Sequence, residues 1–109
     1  MSAREEVEKL IPLLEELFHT DWSTICKYRK PEYAHTRFLI ALYLFNLGYR
    51  HREISEAMDC HRTQLYKTME RATDIMKCQH DDYYRTVRKN LHAVFDKAGM
   101  DWNVLNKWL

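Results

Sequence analysis

The sequence predicts an all-α protein, a compact helical bundle of five to six helices containing a helix-turn-helix. Three observations carry this. Among 109 residues there are only 2 glycines and 2 prolines, so hairpins, long loops and Gly-rich phosphate cradles have little to be built from. Apolar residues make up 46%, enough for one core at this length. Those residues recur at three- and four-residue steps along most of the chain, as one buried helix face requires. A single domain over 1–109 is expected.

Val7, Leu10, Ile11, Leu14, Leu17 and Phe18 make one stripe, which places the first helix from about Ala3 to Phe18. Pro12 interrupts it and is expected to kink it or delay its start. Thr20 or Asp21 can cap a short helix holding Trp22, Ile25 and Cys26. A basic connector follows, Lys27-Tyr28-Arg29-Lys30. Pro31 then suits the first turn of a long helix that ends near Leu47, with Gly48 as its left-handed cap. Apolar side chains cover most of that helix, so it should be central. The run from Arg50 to Ala72 reads as a short helix to Met58, a tight turn, and a second helix from about His61 to Met76. Ile54, Met58, Leu65 and Met69 should face inward. A last long helix should begin at Asp81 or Asp82, bury Val87, Leu91, Val94 and Phe95, and end at Gly99. Asp101 can cap a final turn in which Trp102, Leu105, Trp108 and Leu109 dock back.

The segment 50–76 meets the steric needs of a helix-turn-helix. Ser55 and Ala57 are small enough for a second helix to cross closely. Asp59 can occupy a sharp turn, though Gly would do so more easily. Cys60 and Leu65 can fill the space between the two helices. The exposed start of the second helix then offers His61, Arg62, Thr63, Gln64 and Lys67. Arginine pairs well with guanine, glutamine with adenine, and the threonine methyl can meet that of thymine.

The charge pattern agrees. The net charge is only +1, but it is unevenly spread. Residues 1–26 balance at −4 and residues 27–67 at +4. Local positive charge, not a basic whole, is what displaces phosphate counterions. Arg29, Lys30 and Arg37 lie before or early in the central helix, and Arg50, His51 and Arg52 open the helix-turn-helix. Such positions can reach phosphates, or the minor groove, beside a helix that reads bases. If they act together, Arg29, Arg37, Arg52, Arg62 and Lys67 should share one face.

The order of parts resembles the C-terminal DNA-binding domain of the bacterial chromosomal replication initiator DnaA, a relative of the Trp repressor fold, over roughly residues 4–96. The resemblance implies that Arg29 stands where the family places an arginine in the minor groove, and that Arg37 matches the arginine at the start of its long helix. Arg52-Glu53-Ile54-Ser55 parallels the family's Pro-Glu-Ile-Gly, and His51 and Arg52 match positions close to the DNA backbone. The reading head departs. Where the family shows Gly-Gly-Arg-Asp-His-Thr-Thr-Val, this chain has Asp59-Cys60-His61-Arg62-Thr63-Gln64-Leu65, one residue shorter. That implies a different sequence preference. These residues contain no G-x-x-x-x-G-K motif, so no nucleotide is expected.

Other chemistry finds less support. Cys78 with His80, and Cys60 with His61, have no zinc-site spacing, and no cofactor is expected. Glu15-Glu16 and Asp81-Asp82 read as surface and cap residues, and no motif orients a Cys–His pair, so no enzyme is expected. The longest apolar run, Phe38 to Phe45, is far short of a membrane span. With no signal-peptide pattern and three cysteines in no even framework, a cytoplasmic protein with reduced thiols is expected. The competing reading is a protein-interaction or dimerisation module, using the acidic first helix or Tyr83, Tyr84, Trp102 and Trp108. Core packing is the favoured role for those aromatics. A homodimer or a partner protein is also compatible with duplex DNA as ligand, since helix-turn-helix proteins often bind paired half-sites.

Overall fold

The computed structural model describes residues 2–60, 62–77 and 82–105, with 72–77 through their backbone only. Six α-helices and a short 3-10 turn make up the fold, and no strand occurs among the described residues. The helices are α1 (Ala3–Phe18), α2 (Trp22–Lys27), α3 (Pro31–Asn46), α4 (His51–Ala57), α5 (Arg62–Lys77) and α6 (Asp82–Lys97), followed by the turn Trp102–Leu105. The radius of gyration is 12.6 Å, close to the ~13 Å expected of one domain of this length. His61, Cys78, His80, Asp81, Trp108, Leu109 and the Met76 side chain lie outside the described residues.

Capping decides most boundaries. The Ser2 hydroxyl accepts from the Glu5 amide at 3.2 Å and starts α1. Asp21, not Thr20, caps α2, its carboxylate accepting from Thr24 N at 2.8 Å. Pro12 lies inside α1 and the helix runs through it. Its ring is exposed, so the lost amide bond falls on the solvent side and the buried stripe holds the helix together. α3 ends as expected: Gly48 takes φ +98, and Tyr49 N donates to Leu44 O at 3.2 Å.

α3 is the central helix. Phe38 through Leu44 are all buried, and α2, α4, α5, α6 and the final turn pack around it. α1 closes the other side by packing on α2, α4 and α6. Leu10, Leu14, Ile25, Leu39, Ile54, Leu65, Leu91 and Phe95 form a contiguous core. Of the aromatics expected to pack inward, Trp102 sits edge-on against Phe95 and Tyr84 lies half-buried beside His35. Tyr83 departs from that expectation: it is 46% exposed, and its hydroxyl donates to Glu32.

Candidate nucleic-acid interface

The turn between α4 and α5 is built around Asp59, which has a left-handed backbone (φ 53) where glycine would be easier. Its neighbours close the α4 end: Asp59 N donates to Glu56 O (3.2 Å) and Cys60 N to Ser55 O (2.9 Å). The aspartate has its own use. Arg4 on α1 donates to its carboxylate at 2.9 Å and to Glu56 O at 3.2 Å, tying the first helix to the turn. Beneath lie Ser55 and Ala57, buried as a close helix crossing requires. Cys26 donates to Met58 O at 3.5 Å, and burial pushes its thiol up to about 12. It is an inert core thiol at neutral pH.

Leu65 is 2% exposed and fixes the rotation of α5 about its axis. Arg62, Thr63, Gln64, Tyr66 and Lys67 are consequently exposed. At 100° per residue, Arg62 and Tyr66 fall on one flank and Gln64, Thr68 and Arg71 on the other, with Thr63 and Lys67 between them. Tyr66 meets the His51 ring at 4.9 Å, and His51 meets Phe45 at 5.5 Å, so the first flank lies against α4 and the end of α3.

The second flank faces the connector and the start of α3 across a groove of about 400 Å³. Its walls carry five cations, Lys27, Arg29, Arg37, Lys67 and Arg71, with Thr63, Gln64, Thr68 and Ala34 between them. No carboxylate lines it among the described residues. Arg37 is half-buried at this wall. Its Nη1 donates to Ile25 O (2.6 Å) and Tyr28 O (3.0 Å), while its buried Nε has no partner. Burial lowers its pKa, and the charge of Arg71 adds to that.

The expected site residues therefore separate. Arg29, Arg37, Thr63, Gln64 and Lys67 come together at the groove. Lys30 does not line it; its ammonium sits 5.6 Å from the Tyr33 ring centroid. Arg62 projects from the opposite flank. Arg52 lies on α4, where its Nε pairs with Glu56 at 3.2 Å. His51 is engaged between two rings and its buried Nδ1 has no hydrogen-bond partner. His61 lies outside the described residues. The expectation of one shared face thus holds for Arg29, Arg37 and Lys67 and not for Arg52 or Arg62. Arg37 differs from its expected role in one respect, because part of its hydrogen bonding is spent on the connector's own carbonyls.

Lys27 and Arg71 also line the groove, and neither is among the site residues expected from the sequence. A signal existed. Gln64, Lys67, Thr68 and Arg71 follow one another at three- and four-residue steps from the exposed start of α5, and Lys27 opens the basic connector. No protein-family model, characterised protein or solved structure matches this chain.

Proposed function

We propose that the chain binds double-stranded DNA in a sequence-dependent manner, as a helix-turn-helix module similar to the DnaA C-terminal domain. It would serve as a replication-associated or regulatory factor with no ATPase activity of its own. The observation that carries this reading is a groove of five cations, with no carboxylate among the described residues that line it, running beside the exposed start of α5. A helix tip that offers Arg62, Thr63, Gln64 and Lys67 has side chains of the right reach for base edges in the major groove. Arg29 and Lys30, in the extended connector, supply the flanking contact. Positive charge next to a reading helix provides the sequence-independent part of affinity. The DnaA-like arrangement rests on the residues quoted for it, above all Arg29, Arg37 and Arg52-Glu53-Ile54-Ser55.

The test is selection from a random duplex library at low salt, followed by a titration with rising salt. An enriched motif whose affinity falls steeply with salt is expected. A second reading, an interaction or dimerisation module, draws support from Phe45 and Tyr66, exposed rings that both meet the His51 ring. It would be favoured if no motif is enriched and the chain self-associates without regard to salt.

A further inference from the structure

Reading base edges needs only the tip of α5. It leaves Lys27 and Arg71 without a task. Arg71 lies nine residues beyond Arg62, roughly 13 Å farther along the helix axis. Yet both side chains line the same groove as Arg29, Arg37 and Lys67. Five like charges around one cavity repel each other, and among the described residues no wall carboxylate neutralises them. Arg37 records the strain directly: it is half-buried, its Nε has no partner, and Arg71 works against its charge. A bound anion would supply the counter-charge that offsets this repulsion.

The cavity's size narrows the class of anion. At about 400 Å³ it falls at the lower end of ligand-sized sites, ample for one phosphate with its attached sugar or waters. The wall chemistry fits as well. Guanidinium groups match phosphate oxygens two at a time, lysines add point charge, and the Gln64 amide can donate. Arg37, fixed by two carbonyls of the connector, gives the groove a rigid back wall.

We infer that this groove is a seat for a single phosphate group, with Lys27 and Arg71 among its ligands. The phosphate can be a backbone phosphodiester of DNA or part of a free phosphorylated small molecule. In the first case the inference rests on the DNA-binding reading. The seat then lies behind the reading head and grips every sequence alike.

The experiment compares the full chain with Lys27→Ala, Arg71→Ala, the double variant and the charge-preserving Arg71→Lys. Both residues are exposed, so thermal melts should match the parent. Duplex DNA and inorganic phosphate are the two probes, the latter followed through the amide resonances of Gln64, Lys67 and Thr68. The double variant should bind all duplexes about tenfold more weakly. Its slope of log K against log salt should flatten by ~0.9, the value for one phosphate, with the selected motif unchanged. Arg71→Lys should keep the slope. Saturable phosphate shifts that vanish in the double variant would establish the seat without DNA, and would do so even if duplex binding failed and the DNA reading fell. A flattened slope without phosphate shifts would assign the seat to the DNA backbone. If the parent binds DNA but the double variant keeps its slope, and phosphate moves none of these resonances, the seat is overturned and the DNA reading stands.

Discussion

The two flanks of α5 differ in chemistry although they belong to the same few turns of helix. One is a row of rings, Phe45, His51 and Tyr66, with Arg62 beside it. The other faces a groove of five cations. The rings hold each other, so that flank is organised without a ligand. The cations are held apart by the backbone, and Arg37 is pinned by carbonyls rather than by a counter-charge. One flank is thus held by contacts among its own rings, and the other gathers like charge with no carboxylate among its described lining residues. The rotation that divides them is set by Leu65 at the start of α5, with the partly buried Met69 one turn on packing against the same core. A shift of one residue in register would send Arg62 or Tyr66 toward the groove.

The harshest way to break the comparison is to remove that anchor. Leu65→Ala deletes a fully buried side chain between α5 and the core, and should cost about 2–5 kcal/mol of stability. Denaturant melts would measure it. A cost well below that range would mean that α5 is held mainly by its far end.

A second large effect sharpens the contrast on α3. His35 and Arg37 are two residues apart and so point to different sides of that helix. Arg37 reaches the groove, while His35 is wholly buried beside Tyr84 and accepts from Arg88 Nε at 3.1 Å. Accepting at Nε2 requires a neutral ring protonated at Nδ1. Burial first, and the Arg88 charge second, push its pKa down to about 4. The unfolded chain therefore binds this proton more readily than the native one. Its contribution is fully present above the unfolded pKa near 6.5 and is lost as pH falls to about 4, about 3 kcal/mol in all. Denaturant melts from pH 7 to 4, run for the parent and for His35→Gln, should diverge across this window. Parallel curves would show that His35 is not held neutral.

Much of this was legible in the sequence, for identifiable reasons. α1 and α6 announce themselves because one face of each is buried and the other is not, so their periodicity is strong. Gly48 and Gly99 mark their helix ends because positive φ favours them. Asp59 makes the same kind of turn less legibly, since its choice over glycine depends on Arg4, more than fifty residues away. Arg62, Thr63, Gln64 and Lys67 were readable as the exposed start of a helix. The groove was not, because it exists only when residues 27–37 and 63–71 are brought side by side. The pairing of Arg37 with the Ile25 and Tyr28 carbonyls was hidden for a related reason: main-chain acceptors are the same at every residue and leave no mark in a sequence.

Smaller effects separate the flanks functionally. Arg62→Ala should cost on the order of 1–3 kcal/mol on the selected duplex and relax base choice at one position. Tyr66→Ala, on the same flank, removes no charge and should leave the salt slope where it was, whatever it does to affinity. Binding assays across a panel of single-base variants would check both. If Arg62→Ala weakened every duplex equally, Arg62 would be a phosphate contact and the reading head would lie nearer Gln64.

The smallest expected effect concerns the exposed ion pair of α4, Arg52 with Glu56, which belongs neither to the ring row nor to the groove. Arg52 pairs with Glu56 one turn away, and both side chains are well exposed, at 78% and 68%. Such a pair contributes only about 0.3–0.5 kcal/mol to stability, so Arg52→Ala should scarcely move a melt. Its effect on DNA should be a uniform weakening across sequences, as for any contact to the backbone. Glu56→Gln is the sharper variant. It removes the carboxylate that competes for Arg52 and leaves the Glu56 carbonyl to which Arg4 donates. If α4 faces the phosphates, Glu56→Gln should raise affinity for all duplexes by a few fold at low salt, with the gain fading as salt rises. If affinity does not change at any salt, α4 stands clear of the DNA, and the interface reduces to the tip of α5, the connector and the groove between them.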